Sequence, residues 1–403
     1  MKMTKTRQTH SKQGLISLLA SLLSIAIGLL VGFALLNVLN ANHAINGFGK
    51  ILTTGFATSE KFAKVLYQAM PLILCGLSVA FAFKTGLFNI GAAGQYTMGA
   101  FSALAVAIAL QQPWYIALLA AALGGALLGA IPGICKALFN VNEVITSIMF
   151  NWITMYAVNL TINNMPIMLT NFWSRSSIKD RTAPLADANP SAMLPKGGLD
   201  TLMNSNYINI GIFIAVLVAI IMWVVLQKTV LGYELKACGY NRHASQYAGI
   251  NAKRNIVLSM VISGALAGLG GGLYYLSGTG QYTLVKVLLG MGFNGIPVAL
   301  LASSNPLGVI FSALFVSYIQ VGGDALQPHF IKENIDIIIA SIIYLSAFAL
   351  LLKGWIAKLL LRSSSVKDNP ELAEALGAKE SGVSEGNADT EPPVRGAEKE
   401  DAQ

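Results

Sequence analysis

Outside its last forty residues the sequence holds nine carboxylates: Glu60, Glu143, Asp180, Asp187, Asp200, Glu234, Asp324, Glu333 and Asp336. Each falls between two apolar stretches or at the edge of one. An ionisable group inside the membrane is the usual mark of proton coupling, and none is placed there. Proton-coupled transport is therefore disfavoured, while sodium coupling through backbone carbonyls stays open. The histidines His10, His43, His243 and His329 and the cysteines Cys75, Cys135 and Cys238 are far apart, without metal-ligand spacing or a disulfide framework. No glycine-rich loop ends in Lys-Ser or Lys-Thr to cradle a nucleotide. These residues predict a chain that is not an enzyme, binds no metal or cofactor, and takes any nucleotide energy from another subunit.

Recognition chemistry is better represented. The octet Phe88-Asn89-Ile90-Gly91-Ala92-Ala93-Gly94-Gln95 places two amides between glycines inside an apolar region. Non-helical backbone at membrane depth needs protein or a water-filled cavity to satisfy it. The octet is either a broken helix re-entering toward a solute path or a tight turn in which Gly91 and Gly94 let helices approach. Asn151, Trp152, Tyr156, Asn159 and Asn163 gather on one later segment, and Asn294 lies in Met-Gly-Phe-Asn-Gly-Ile-Pro at 291–297. Amides and rings suit a polar, ring-bearing solute, which makes Phe88, Asn89, Gln95, Asn151, Trp152 and Asn294 the candidate pathway residues. Interhelical hydrogen bonding and an interfacial aromatic belt are the competing explanation.

The third feature is Gly232–Ile250, GYELKACGYNRHASQYAGI, a polar, helix-competent interruption flanked by Lys228, Lys253 and Arg254. Its charges keep it out of lipid. Asn241 is suited to cap a short helix, Ala244, Tyr247 and Ala248 fall on one face, and Gly249 fits a left-handed stop. This pattern predicts an amphipathic helix presented to something outside the membrane.

The elements that must position these residues follow from composition. Of 403 residues 54% are hydrophobic and only 11% charged, against roughly 25% charged in soluble domains. Apolar stretches at about 15–36, 65–83, 95–111, 114–136, 143–161, 208–227, 254–276, 285–303, 305–320 and 335–352 predict an all-α polytopic membrane protein of about ten spans. Residues 1–14 are expected to be a cytoplasmic segment, and 15–362 the membrane domain. Within that domain a cytoplasmic loop spans 228–254 and an external loop 162–207. The stretch from the first span to about Lys64 is expected to be a polar loop. Alternation from a cytoplasmic N-terminus puts Lys84, Lys136, the 228–254 loop, Lys353, Lys358 and Arg362 inside, as the positive-inside rule requires. The net charge of +8 therefore reports membrane orientation and lipid contact, not nucleic-acid binding. The external loop is long enough to dock a binding protein or simply to cover the outer mouth. Residues 363–403, rich in Glu, Ser and Ala, are expected to form a disordered cytoplasmic tail, with one brief capped helix at 369–377. Ser263–Gly272, rich in small residues, favours tight helix packing. A faint echo between 88–95 and 291–297 suggests internal repeats.

The run at 232–250 resembles the coupling loop in permease subunits of bacterial ABC importers of the branched-chain amino acid, ribose and nucleoside type. The likeness rests on Gly232, Leu235, Ala237, Gly239, Asn241, Ala244 and Ala248-Gly249-Ile250. The octet at 88–95, Gly295–Leu301 and Asn305-Pro306-Leu307-Gly308 agree with it in order. The resemblance implies a type II-like importer architecture and a cytoplasmic ATP-binding subunit that holds the ATP. It also implies a second permease subunit, a related heteromeric partner, and an extracytoplasmic substrate-binding lipoprotein. Glu234, Leu235, Ala237, Gly239, Asn241, Ala244 and Gly249 would couple to the ATPase. The octet looks most like nucleoside permeases, with simple sugars and branched-chain amino acids next. Ala93 stands where many relatives carry an acidic residue.

Overall fold

The computed structural model describes residues 2–173, 177–327 and 329–346. The expected tail, its short helix, and Lys353, Lys358 and Arg362 lie outside the described residues. Twelve helices matter here: α1 (Lys2–Ala57), α2 (Ser59–Lys84), α3 (Ala92–Leu104), α4 (Trp114–Phe139), α5 (Glu143–Asn163), α6 (Gly211–Lys228), α7 (Val230–Tyr240), α8 (Arg242–Tyr247), α9 (Ala252–Leu276), α10 (Gly290–Leu301), α11 (Pro306–Asp324) and α12 (Lys332–Ser346). Eight are long and apolar enough to cross a membrane. The shorter apolar α10 falls in a ninth predicted stretch, and α12 covers the described part of the tenth.

One stretch differs from the sequence expectation. The loop expected before Lys64 is helical: α1 continues to Ala57 through a break at Asn40, where the backbone is extended. Burial of Ala44, Gly47 and Ile51 on one side keeps the second half helical despite its polar residues. The external loop is not a free connector. It carries five short helical turns between Pro166 and Met203 and packs onto the bundle. Thr182 N–H donates to Tyr282 O (2.9 Å) and Leu194 N–H to Leu276 O (2.8 Å), while Asn189 Nδ2 donates to Ala107 O (2.8 Å).

Helix contacts fall into two matching sets. Buried α2 packs against α10 and α11, and α9 packs against α3 and α4. Each set joins one long helix to a short helix and its successor, so the echo between 88–95 and 291–297 corresponds to equivalent places in the bundle. In the second set small residues bring backbones together, with Gly264 and Gly268 of α9 against Gly125 and Gly129 of α4. This is the tight packing that Ser263–Gly272 predicted. The short members meet at their N-termini: a methyl group on Gly292 would lie 2.6 Å from Ala93 N.

Candidate functional site

Two adjoining features at the Lys84 end of the bundle concentrate the candidate residues. The first is the turn between α2 and α3. Asn89 is fully buried. Its Nδ2 lies within hydrogen-bonding reach of Ser263 Oγ (2.6 Å), Gln95 Oε1 (2.7 Å) and Ser78 Oγ (3.1 Å). Its Oδ1 accepts from Gly91 N–H (3.1 Å) and Gln95 Nε2 (3.1 Å). Ser78 precedes Lys84 by six residues, about 9 Å at 1.5 Å per residue. The chain therefore turns back into the bundle, and α3 begins well inside it. Asn151 of α5 closes the arrangement: its Oδ1 accepts from Gly94 N–H (2.8 Å) and its Nδ2 donates to Ile90 O (3.1 Å). Gly94 N–H in the first turn of α3 and Gly91 N–H just before it are thus satisfied by side chains, which a helix end removed from water needs.

This geometry sorts the six pathway candidates. Asn89, Gln95 and Asn151 are at most 1% exposed and bonded to one another or to the backbone, the arrangement a tight turn would make. Phe88 and Asn294 are half-buried, and the Phe88 ring stacks on Phe83. Trp152 differs. It is 43% exposed and stacks with Tyr156, on a face of α5 that also shows Ile148, Met149, Ile153 and Leu160. Near the other end of α5, Asn159 donates to Val285 O (2.8 Å) and accepts from the Tyr282 hydroxyl (3.1 Å). Burial pushes the Tyr282 phenol up to about 12, so it remains a protonated donor at neutral pH.

The second feature is α7 with α8. Thr229 caps α7 by accepting from Gly232 N–H (3.1 Å), which folds α7 back from α6. Asn241, extended in backbone, separates the two helices and accepts from Ala244 N–H (3.0 Å). Gly249 takes the left-handed conformation (φ +81°). The cap and the stop both follow the sequence expectation, although the segment comprises two helices.

The pair has two faces. Toward the bundle, Leu235 is buried, and Glu234 Oε2 accepts from Asn255 Nδ2 (3.4 Å), a buried residue in the first turn of α9. Cys238 Sγ accepts from Ser245 Oγ (3.4 Å). Gly239 lies so close to Thr85 and Gly86 that a methyl group on it would sit 2.6 Å from the Thr85 carbonyl carbon. Ala237 is half-buried, and its carbonyl accepts from Asn241 N–H (3.1 Å). Away from the bundle, Ala244 and Ala248 are exposed, and Tyr240 and Tyr247 are 90% and 93% exposed. Both rings are almost entirely open to the surroundings.

The features touch through Gly239 and Gly86, and polar contacts continue inward. Thr85 hydrogen-bonds Ser259 of α9, then comes Asn89 with Ser263 and Gln95, then Asn151 on α5, one residue from Trp152. Sequence reasoning missed Thr85, Asn255, Ser259 and the Ser78–Ser263 pair. Serine and threonine in apolar spans give little signal until their partners are known.

A family model described as the permease component of the branched-chain amino acid transport system matches residues 62–355. The chain is 38% identical to the guanosine ABC transporter permease protein NupP of Bacillus subtilis, over 85% of this chain and 96% of NupP. It is 34% identical to the nucleoside ABC transporter permease protein NupB of Lactococcus lactis, over 88% of this chain and 98% of NupB. It is 30% identical to the glucose ABC transporter permease protein TsgB13 of Haloferax volcanii, over 76% of this chain and 80% of that protein. The first two organisms each carry a second permease so named, 27% and 26% identical over 63% and 65% of this chain. No solved structure matches.

Proposed function

The chain belongs to the family of permease components of branched-chain amino acid transport systems, and we propose that the solute it moves is a nucleoside. As a permease component it is the multi-pass membrane subunit of an ATP-driven ABC importer, working with a separate ATP-binding subunit and a binding protein. The observation that carries the nucleoside reading is that two relatives aligned over nearly their whole length are named for guanosine and for nucleosides. A sugar is the second reading, favoured by the glucose permease.

The same relatives support a paired permease. In each of two organisms one guanosine or nucleoside permease is clearly more similar to this chain than the other. The partner here is therefore a related but different chain of the less similar kind. The binding protein is an extracytoplasmic lipoprotein, ATP is held on the partner ATPase, and this chain binds no cofactor of its own. Lys84, Lys136, Lys228, Lys253 and Arg254 support a cytoplasmic Lys84 end in a bacterial cell, and in this reading both termini lie on that side.

In this reading the exposed face of α8 with Tyr240 sits in a cleft of the ATPase. Nucleotide-driven closure pushes α7 against the Thr85–Gly86 turn. The hydrogen bonds of Asn89 and Asn151 tie that turn to α3, α9 and α5, so displacement reaches α5 as the movement of a packed body. Trp152, together with Phe88 and Asn294 of the two short-helix regions, lines the path against the second permease. Uptake of labelled guanosine and labelled glucose in a strain lacking the gene, with and without a plasmid copy, tests the substrate. Guanosine uptake should be lost and restored. Unchanged guanosine uptake with lost glucose uptake overturns the reading.

A further inference from the structure

The second half of α1, residues 41–57, is not used by the transport mechanism, yet it is built with three distinct sides. Ala44, Gly47, Ile51 and Gly55 are buried against the chain; Gly47 meets Leu326 and Phe330, and Gly55 meets Tyr318. Ile45, Leu52 and Phe56, spaced i, i+7 and i+11, form a second side of exposed apolar residues, with Ile45 and Phe56 at 76% and 72%. His43, Asn46, Lys50 and Thr53, spaced i, i+3, i+7 and i+10, form a third, polar side. Such a helix lies at a membrane interface, where one side meets protein, one acyl chains and one headgroups.

The polar side opens on a cavity of about 500 Å³ bounded on its other side by Leu326, His329 and Phe330. It is lined by His43, Asn46, Lys50, Thr53, His329 and Phe330 among others. The imidazoles of His43 and His329 stack with centroids 4.4 Å apart. Asn46 and Lys50 are exposed, and Lys50 enters none of the ion pairs among the described residues. The Thr53 hydroxyl is turned to Gly49 O. The lining contains no carboxylate. Asp324, at the end of α11, is held by Lys64 at 2.8 Å, and Glu333 and Asp336 lie on α12 outside the lining. An ammonium, an amide and two imidazoles, each able to give an N–H, make a donor-rich cradle for a phosphate oxygen.

We propose that this cavity binds the phosphate headgroup of an anionic phospholipid, whose acyl chains lie along Ile45, Leu52 and Phe56. A free anion would account for the cation and donors but not for the exposed apolar side next to them. A lipid accounts for both, as basic pockets between membrane helices do elsewhere. Lys50 gives the charge-assisted contact, and His43, Asn46 and His329 orient the phosphate.

The test uses the purified importer complex, equilibrated with mixed vesicles of phosphatidylglycerol and phosphatidylcholine, moved into detergent, and weighed by native mass spectrometry for retained lipid. Phosphatidylglycerol should be retained over phosphatidylcholine. Lys50→Gln should cut that retention about tenfold, the usual effect of losing one charge-assisted hydrogen bond, and Lys50→Arg should restore most of it. Lys50 is exposed, so these variants fold, and His329→Asn gives a second, independent loss. Equal retention of the two lipids, or retention unchanged by Lys50→Gln and His329→Asn, overturns the proposal. So does displacement of the lipid by inorganic phosphate that itself stays bound, which would identify a free-anion site. No transport is measured, so the outcome is independent of the substrate reading.

Discussion

The α2–α3 turn and the α7–α8 pair are both polar interruptions of an apolar chain, both rich in Asn and Gly, and they touch at Gly86 and Gly239. Their polar groups have opposite fates. In the turn, Asn89, Gln95 and Asn151 are buried and bonded to one another and to backbone. In the pair, one face is anchored through Leu235, Glu234 and Gly239, while Tyr240, Ala244 and Tyr247 stand bare. Polarity inside a membrane chain is closed off internally where no water or partner reaches it, because an unpaired buried group costs about 1–3 kcal/mol. Where it stays open, something outside the chain completes it. On the proposed function, the contrast separates the part of the site that holds the fold from the part that would receive a partner.

The comparison is broken most severely at Asn89. Replacing Asn89 with Leu strips partners from Gln95, Ser263, Ser78 and Gly91 N–H together, and a loss of about 3 kcal/mol or more follows from several buried groups left unpaired. The purified variant should unfold at a clearly lower temperature and assemble poorly. A stable Asn89→Leu protein that has lost only transport would instead make the turn part of the solute path. Gly239→Val tests the contact between the regions. A branched side chain against the Thr85 and Gly86 backbone overpacks the junction, at about 1–3 kcal/mol. Thermal unfolding should register that cost, and uptake should fall with it; an unaltered melting temperature would show that α7 does not lean on the turn. Lys64→Gln, far from both regions, removes a partly exposed ion pair with Asp324, worth less than about 1 kcal/mol. It calibrates what an ordinary surface change does to the melting temperature.

Sequence reasoning reached these regions unevenly. The spans were legible because about twenty consecutive apolar residues have few other places to go. The Asn241 cap and the Gly249 stop were legible because capping is settled within four or five residues. The partners of Asn89 were not, since Ser263 lies 174 positions away and nothing local marks it. The octet accordingly reads as a path or, slightly better, as a turn, and the closed hydrogen bonds are those a turn would make. Residues 41–57 read as a loop because His43, Asn46 and Lys50 lower the hydropathy, although burial of a third of the helix face is enough to hold it. Gly239 was assigned to the docking set from the family likeness. Its contact with Gly86 depends on a crossing of two segments about 150 residues apart, which local pattern cannot contain.

The finest test changes stability least. Ala244→Glu places a charge on the exposed face of α8, a helix already capped by Asn241. The isolated permease should melt within about 0.5 kcal/mol of wild type, as surface substitutions do. Docking is another matter, since a small face accepts a methyl group and not an added carboxylate. Co-purification of the ATP-binding subunit should fall, and uptake with it. Tyr247→Ala should act in the same direction more weakly, because it removes contact area without adding charge. The decisive quantity is the ratio of lost uptake to lost stability: large at Ala244, small at Asn89, intermediate at Gly239. If Ala244→Glu binds the ATPase normally, the bare face of α8 is not the docking surface, and the two regions no longer differ in the way their hydrogen bonds suggest.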